Sequence, residues 1–469
     1  MTLKKKDWYY LGQWVAPTLC ACLWDNWTNY NTFPFPAPQF SGKYLMLHGH
    51  SYVKKNDISL LKEFIQKKEG DFTFLEELQK WVDNVAKNAE KNVRNASGNL
   101  PQKIKTIHDA YKDIGNPWIF FLAMDDYLSE KIKECCIEFH CSEEEVLKQI
   151  ILVRKPYAVQ QVEEACALHK IILERRISCK SFEELAAQNP AIAQKVEQHI
   201  NKFIFCGLHH FVGKKYSYEE FLAKKSLLSS QNQVKITATE IRKETLPPTL
   251  HWYISLASIA AFARTNMAET SGILQYHTTP TLMEVNKTLG LNKGEYIWLS
   301  FQEIFSALQE PSTFSVPDIL PRQNKLAVFS ENNKEIILVG KALDDILSSF
   351  ISVAKEKVFP LKGMPACKGI IQGTVKIIIL PDDIKKMKAG DILVAPETAP
   401  DFLPAMALAA GIITNRGGVT SHAAIVSREL GKPCIVGVKD ATSILCDGQQ
   451  IELNADKGEI RLLQTTLQK

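Results

Sequence analysis

The sequence predicts a multidomain protein of mixed α and α/β class: a large, mainly helical N-terminal region followed by a C-terminal α/β domain. Three observations indicate this division. The chain has 469 residues, which is enough for two to four domains. Apolar residues recur at helical spacing between positions 55 and 310. Towards the C-terminus, short apolar runs bounded by glycine and proline are typical of strands that flank a short helix.

Composition and charge argue against several classes of protein. The formal net charge of +4 is small and evenly spread, so neither a nucleic-acid partner nor a membrane surface is expected. The eleven cysteines are scattered and form no disulfide framework, which is typical of a reduced compartment. His140 and Cys141 are adjacent, but no second Cys-x-x-Cys pair completes a metal site, and we expect no metal in this chain.

The N-terminus combines a basic start with an apolar, aromatic run. Asp7, Gln13 and Pro17 interrupt that run, so we interpret it as part of a folded domain and not as a signal peptide. No stretch reaches the roughly 18 apolar residues that a membrane span requires. We therefore expect a cytoplasmic protein without membrane contact.

The N-terminal region is predicted to contain many helices. Residues 58–68 and 74–95 carry apolar residues at steps of three and four. Asn116 and Pro117 are predicted to open a further helix. Additional helical runs are expected at about 158–176, 181–201, 218–229, 251–274 and 279–289.

The stretch from residue 409 to residue 437 reads as strand, paired glycines, helix and strand. Gly417 and Gly418 allow backbone conformations that a side chain would forbid. Thr420 or Ser421 can cap the helix that follows, and Gly431 with the nearby proline ends it. The pattern predicts a short helix that begins directly after a tight glycine turn.

His422 lies in the first turn of this predicted helix. The free backbone N–H groups and the positive end of the helix dipole stabilise anions there. A phosphoryl group on the ring would face those donors, so we interpret His422 as a covalent phosphoryl carrier. The alternative is a buried histidine that only bonds a neighbouring carbonyl group.

The same stretch resembles the swivelling phosphohistidine domain of the phosphoenolpyruvate-utilising family. Members include phosphoenolpyruvate synthase, pyruvate phosphate dikinase, enzyme I of the sugar phosphotransferase system and rifampin phosphotransferase. The family pattern GG-x-(T/S)-S-H-A-A-I-x-(A/S)-R-E-x-G-x-P matches the chain at Gly417, Gly418, Thr420, Ser421, His422, Ala423, Ala424, Ile425, Arg428, Glu429, Gly431 and Pro433. Residues 390–406 and 363–378 resemble two further segments of this domain. The resemblance implies a β/β/α swivelling domain at 359–469 with His422 as the catalytic carrier.

The resemblance also implies roles for neighbouring residues. Arg416 and Arg428 are expected to bind the phosphoryl group through their forked donors, together with the glycine turn and the hydroxyl groups of the helix start. Thr420 is the preferred candidate for the group that fixes the tautomer of the ring or contacts the phosphate. Thr398 and Asp401 match family positions beside the histidine loop and are expected to shape that loop.

A weaker resemblance covers residues 252–308, where Arg264, Tyr276, His277 and the segment 295–304 resemble the region that precedes the phosphohistidine domain in rifampin phosphotransferase and phosphoenolpyruvate synthase relatives. It implies that residues 1–345 bind the acceptor, with a possible division near residue 240. A linker at 346–358 is expected to let the C-terminal domain move.

No loading domain is evident, neither an ATP-grasp domain nor a phosphoenolpyruvate-binding barrel, and no Walker-type phosphate loop occurs. We expect His422 to be loaded from ATP or phosphoenolpyruvate by a separate subunit, which also binds Mg²⁺, as in split systems such as phenylphosphate synthase. Candidate acceptor-site residues are His48, His50 and His277. Two functions remain open: transfer of the phosphoryl group to a small-molecule acceptor, or a relay or regulatory protein that passes it to another protein.

Overall fold

The computed structural model describes most of the chain. The described residues are 7–13, 33–36, 40–41, 43–47, 50–147, 149–150, 156–209, 212–223, 246–311, 315, 319–331, 334–350, 359–379, 381–398, 402–418 and 420–463. The chain divides into two compact units. The first unit comprises residues 1–127, 208–212 and 266–356, and the second comprises residues 128–207, 213–265 and 357–469.

The first unit contains a five-stranded antiparallel sheet that the sequence patterns did not indicate. Its order is β1-β3-β2-β6-β7, formed by β1 (Trp8–Gln13), β2 (Tyr44–Leu47), β3 (His50–Lys54), β6 (Ala327–Glu331) and β7 (Lys334–Leu338). Leu45 and Phe329 are register partners and pack in one buried cluster. The N-terminal region is therefore helical with a sheet added. The sheet was not predicted because strands of four to six residues show little periodicity of their own.

Helices make up the rest of the first unit. They are α1 (Lys55–Gln66), α2 (Phe72–Arg94), α3 (Leu100–Ala123), α11 (Phe301–Gln309), α12 (Ile319–Asn324) and α13 (Gly340–Phe350), with a 3₁₀ turn at Glu295–Trp298. Asp71 is the N-cap of α2, and its side chain accepts a hydrogen bond from the Phe74 N–H. Asn99 is the N-cap of α3 and forms a capping box there. Trp81 and Phe120 join α2 to α3 with ring centroids 5.9 Å apart.

The second unit begins with helices around a separate core. They are α4 (Asp125–Glu138, which starts in the first unit), α5 (Glu143–Leu147), α6 (Tyr157–Glu174), α7 (Phe182–Gln188), α8 (Pro190–Lys202) and α9 (Tyr218–Ala223), with a two-stranded ladder of β4 (Leu208–His209) and β5 (Val212–Gly213). Leu185, Val196, Phe203 and Phe221 are fully buried in this core. The helix predicted at 181–201 is thus two helices, because Asn189 ends α7 and caps α8.

Two further helix predictions were wrong in their boundaries, both at proline. Asn116 and Pro117 lie inside α3 and do not open a helix. The runs predicted at 251–274 and 279–289 form one helix, α10 (Pro248–Thr288), with Pro280 inside it. A proline inside a helix costs about 3 kcal/mol. The buried residues on both sides, such as Leu274 and Leu282, offset that cost through packing.

The C-terminal part of the second unit is built on an eight-stranded mixed sheet. Its order is β8-β15-β14-β10-β11-β12-β13-β9, formed by β8 (Leu361–Lys362), β9 (Met364–Cys367), β10 (Ile370–Ile377), β11 (Ile392–Ala395), β12 (Gly411–Thr414), β13 (Cys434–Val436), β14 (Gln450–Asn454) and β15 (Glu459–Leu462). The remaining elements are α14 (Leu403–Leu408), α15 (His422–Leu430), α16 (Ala441–Ile444) and a 3₁₀ turn at Pro381–Lys386. All eight strands lie inside the range predicted for the C-terminal domain.

The four central strands β10 to β13 are parallel, and their sheet is buried on both faces. Along β11, Ile392 and Val394 enter one core cluster while Leu393 and Ala395 enter the other. This burial explains the continuous apolar runs of these strands. The cluster that contains Leu393 and Ala395 also contains Val162 of α6, and Cys166 of α6 packs against this cluster. The C-terminal domain therefore packs on α6 within the second unit.

Two predicted boundaries lie partly or wholly outside the described residues. The possible division near residue 240 falls in a part that is not described, and so do residues 351–358 of the predicted linker. The first residues of that linker belong to α13, which extends to Phe350. Among the helices that the structure describes, none combines the length and apolar character needed to cross a membrane.

Candidate functional site

The candidate site lies where the parallel strands β11 and β12 end. Ala395 and Thr414 are the last residues of these strands and are register partners. The segments that follow are joined by backbone hydrogen bonds from Asn415 N to Ala395 O at 3.0 Å and from Arg416 N to Pro396 O at 3.1 Å. Residues far apart in sequence therefore meet at one edge of the sheet, which is where α/β domains place their ligands.

His422 is the first residue of α15, as the sequence predicted. Ser421 is the N-cap, and its side chain accepts a hydrogen bond from Ala424 N at 3.3 Å. Gly431 ends the helix in the left-handed conformation, with a φ of 63°. The first turn of α15 thus presents the backbone donors and dipole expected of an anion-stabilising position.

The turn before α15 depends on Gly417. Its φ is 120°, and a Cβ at this position would lie 2.6 Å from Ser421 Oγ and 2.8 Å from Ser421 Cβ. Ser421 Oγ in turn donates to Gly418 O at 2.8 Å. The absence of a side chain at Gly417 therefore lets the N-cap close against the turn, which sets the start of the helix.

The His422 ring is held by a residue from the neighbouring loop. Thr398 Oγ1 lies 2.9 Å from His422 Nδ1, and the Thr398 side chain is buried. Thr420 was the preferred candidate for the group that fixes the tautomer, but the residue hydrogen-bonded to Nδ1 is Thr398. Because Nδ1 is engaged, Nε2 is the ring nitrogen that remains for a phosphoryl group. Thr420 is buried, and its role as a phosphate contact stays a prediction.

The Thr398 hydroxyl matches both chemical states of a carrier histidine. A hydroxyl can accept a hydrogen bond from Nδ1–H, which leaves the lone pair on Nε2 for attack. It can also donate to Nδ1 once Nε2 carries a phosphoryl group and the ring has lost its Nδ1 proton. A single residue can therefore orient the ring before and after loading.

Replacing Thr398 is expected to slow loading of the ring. Thr398→Val keeps the shape of the side chain but leaves Nδ1 without the hydroxyl, so we expect phosphohistidine formation to slow by about 10- to 100-fold. The rate of appearance of acid-labile label measures this effect. Thr398→Ser retains the hydroxyl and should stay within a few-fold of the wild type. A Thr398→Val protein that loads as fast as Thr398→Ser would contradict the role of Thr398.

The electrostatic environment keeps the His422 ring neutral. The pKa of His422 is lowered to about 3 from its ordinary value of 6.5. Burial is the larger cause, and the positive charge of Arg264 on α10 is the smaller one. Arg264 belongs to the part of α10 that lies in the second unit. A neutral imidazole is the form that can act as a nucleophile.

This depressed pKa predicts a loss of stability on acidification. A group whose pKa is lower in the folded state contributes stability above its ordinary pKa and loses it as the pH falls. Between pH 6.5 and pH 3 the free energy of unfolding should fall more steeply in the wild type than in His422→Gln, with a difference of up to about 1.4 kcal/mol per pH unit. Denaturant unfolding at a series of pH values measures this difference. Identical pH dependence in both proteins would contradict it.

The two predicted phosphate-binding arginines occupy different surroundings. Arg416 Nη1 lies 3.7 Å from Glu397 Oε2, in the segment that also carries Thr398. Arg428 lies near the end of α15, where burial lowers its pKa to about 10 while the neighbouring thiols Cys434 and Cys367 oppose that shift. The phosphate-binding roles of both residues stay predictions.

The structure describes the candidate acceptor residues only in part. His48 and Asp401 lie outside the described residues, and His50 is described only as the first residue of β3. His277 lies on α10 in the first unit, with its ring 5.0 Å from that of Tyr276. Burial first, and then the charge of Arg94, lower the pKa of His277. Within the described part of the chain, no group of three or more His, Cys, Asp or Glu residues could hold a metal ion.

The C-terminal domain combines a mixed sheet, two adjoining loops after β11 and β12, and a histidine at the start of a helix. These features can be compared with known domains. The family model described as phosphoenolpyruvate-utilising enzyme, mobile domain, matches residues 387–458. This part of the chain is therefore similar to the swivelling mobile domain of phosphoenolpyruvate-utilising enzymes, and the resemblance seen in the sequence is confirmed for it.

Known relatives are similar to the same part of the chain. A probable phosphoenolpyruvate synthase of Archaeoglobus fulgidus is 49% identical over 131 residues, which are 28% of this chain and 17% of the relative. Phosphoenolpyruvate synthase of Pyrococcus furiosus is 52% identical over 98 residues, which are 21% of this chain and 12% of the relative. The chain thus spans less than a fifth of the length of either relative. The crystal structure of Thermococcus kodakaraensis aconitase X, at 21% identity, covers 22% of this chain and 98% of its own with a TM-score of 0.19, too low to support a conclusion.

Proposed function

We propose that this protein is a phosphotransferase component that carries a phosphoryl group on His422 Nε2 and passes it to a small-molecule acceptor. A separate subunit that binds ATP or phosphoenolpyruvate, with Mg²⁺ at its own site, loads the histidine. The observation that carries the proposal is the hydrogen bond between Thr398 Oγ1 and His422 Nδ1, which leaves Nε2 for chemistry at the start of α15. The similarity of residues 387–458 to the mobile domain supports it.

The proposed reaction has two transfers. In the first, Nε2 attacks the donor phosphorus, the P–O bond of the donor breaks, and an Nε2–P bond forms. In the second, a hydroxyl oxygen of the acceptor attacks the same phosphorus and the hydroxyl proton leaves to water. The electron pair of the Nε2–P bond returns to Nε2, and Nδ1 takes a proton back from water, which restores the neutral ring. Because donor and acceptor bind at different places, the domain must move between them.

Labelling of the full-length protein tests this proposal. The protein is mixed with phosphoryl-labelled ATP or phosphoenolpyruvate, each together with a cell lysate that supplies the loading subunit. We expect label that is stable to alkali, is lost in acid, and maps to the peptide that contains His422. Label that appears only on another peptide, or none with either donor, would overturn the carrier role.

The same experiment separates the two candidate functions. Label that leaves His422 and appears in a small molecule supports the proposed phosphotransferase function. Label that moves instead to a second protein supports the relay or regulatory reading and would overturn the small-molecule acceptor. The histidine chemistry is common to both.

A further inference from the structure

Two cysteines lie side by side in the sheet that carries the candidate site. β9 and β13 run antiparallel, and Cys367 of β9 is the register partner of Cys434 of β13. Register partners in an antiparallel ladder have Cα atoms about 4.5 or 5.5 Å apart, and both spacings fall inside the range of about 4.4 to 6.8 Å that a disulfide spans. The backbone therefore already holds the two cysteines at disulfide distance.

The two side chains also lie on the same face of the sheet. Cys434 is fully buried in the core cluster that contains Leu393 and Ala395, and Cys367 packs against that same cluster. Both residues are thiols in this structure. Because opposed side chains on one face of a sheet are direct neighbours, the two sulfur atoms are placed to meet.

The ladder is irregular beside this pair. Cys434 pairs with Cys367, but the following residue, Ile435, pairs with Pro365, which leaves Ala366 as an extra residue in β9. Opposed residues have Cβ atoms about 4.5 to 5.5 Å apart, compared with about 3.5 to 4.5 Å in a disulfide, so closure requires a shift of about 1 Å. A β-bulge interrupts the ladder hydrogen bonds and lets the strand bend, so it can accommodate a shift of this size.

The deeper thiol contacts the helix that begins at His422. Cys434 Sγ lies 4.0 Å from Ala423 O, and Ala423 directly follows His422 in α15. Ala423 and Val426 belong to the same buried cluster as Cys434. If the Cys434 sulfur turns towards β9 to form a disulfide, it leaves this carbonyl group, and the first turn of α15 must repack against the bridge.

We propose that Cys367 and Cys434 are a redox pair that closes to a disulfide beneath α15 and thereby slows phosphorylation of His422. The second part of this inference rests on the proposed carrier role of His422. The oxidant is a hydroperoxide, which reaches Cys367 first because this residue is only half-buried. The carrier would then respond to the redox state of its surroundings.

The oxidation has two balanced steps. The Cys367 sulfur attacks the outer oxygen of hydrogen peroxide, the O–O bond breaks, and a sulfenic acid forms while the thiol proton leaves with the second oxygen as water. The Cys434 sulfur then attacks the Cys367 sulfur, the S–O bond breaks, and the hydroxide leaves with the Cys434 proton as a second water. Burial raises the pKa of Cys434 to about 12, so we expect the second step to be the slower one.

Hydrogen peroxide followed by phosphoramidate tests this proposal on the full-length protein, without the thiols of a lysate. Phosphoramidate transfers its phosphoryl group to a histidine nitrogen: its P–N bond breaks, an Nε2–P bond forms, and ammonia leaves. In the oxidised wild type we expect peptides linked through Cys367 and Cys434, and acid-labile labelling about tenfold slower than in the reduced protein. Dithiothreitol should restore the rate, whereas it would not reverse oxidation of methionine.

Three variants make the test specific. Cys367→Ser and Cys434→Ala each remove one partner, so peroxide should leave the labelling rate of each variant at the value of its untreated form. Cys446→Ser removes an exposed thiol of the same domain and should behave like the wild type.

The readouts separate the parts of the inference. Absence of the linked peptides from the oxidised wild type overturns the redox pair. Linked peptides with an unchanged labelling rate, or slowing by peroxide that persists in Cys367→Ser, overturn the effect of the disulfide on His422. Absence of label on His422 in the reduced wild type overturns the carrier role, and the linked peptides still decide whether the two cysteines are a redox pair.

Discussion

His422→Gln is expected to reduce acid-labile labelling of the protein to background with either ATP or phosphoenolpyruvate as the donor. An amide nitrogen has no lone pair available for attack, so no phosphoramidate bond can form at this position. The fold should be retained, because the ring is neutral in the native state and the helix cap belongs to Ser421. Label recovery per mole of protein, together with a circular dichroism spectrum, measures both statements.

A second histidine variant controls for nonspecific labelling. His140 is exposed and has a φ of 53°, a conformation that asparagine tolerates well, so His140→Asn should fold normally. We expect it to accept label at the wild-type rate. If His422→Gln keeps its label and His140→Asn loses it, the phosphoryl group is carried elsewhere and the proposed site is wrong.

Gly417→Ala is expected to lower the free energy of unfolding by about 3 kcal/mol and to slow phosphohistidine formation by about 100-fold. The native φ of 120° is strained for any residue with a side chain, and the added Cβ would overlap Ser421 Oγ and Cβ at 2.6 Å and 2.8 Å. Relief of that overlap must move the N-cap, and with it the first residue of α15. Denaturant unfolding and the labelling rate measure the two effects.

The other end of α15 offers a matched control. Gly431 also has a positive φ, of 63°, but no atom lies within 4 Å of the position that its Cβ would take. Gly431→Asn should therefore cost about 1 kcal/mol or less and leave the labelling rate unchanged. Equal losses of labelling in the two variants would show that the glycine turn has no special connection to the site.

The sequence was sufficient for the features of the site that are local. The glycine turn, the cap at Ser421, the helix that follows and its end at Gly431 all depend on residues within a few positions of one another. These short-range preferences act before any tertiary contact forms, and the structure confirms them. The position of His422 at the start of that helix followed directly.

Features that depend on distant residues were not predictable in the same way. Thr398 is 24 residues from His422, and the two meet only because β11 and β12 pair in parallel register. The five-stranded sheet joins strands near the N-terminus to strands near residue 330, and its short strands carry no strong alternation. The contact between α6 and the buried cluster of the C-terminal domain likewise depends on packing between surfaces distant in sequence, and no local sequence pattern predicts it.

The position of Thr398 in the fold has a consequence for the proposed movement of the domain. The hydroxyl that orients the ring comes from the loop after β11, inside the same sheet domain that bears His422. In the proposed movement of that domain between donor and acceptor, the hydroxyl would move with it, so the ring would present the same nitrogen at both sites. Each of the two sites would then have only to bind the phosphoryl group, because the residue that orients the imidazole belongs to the same domain as His422.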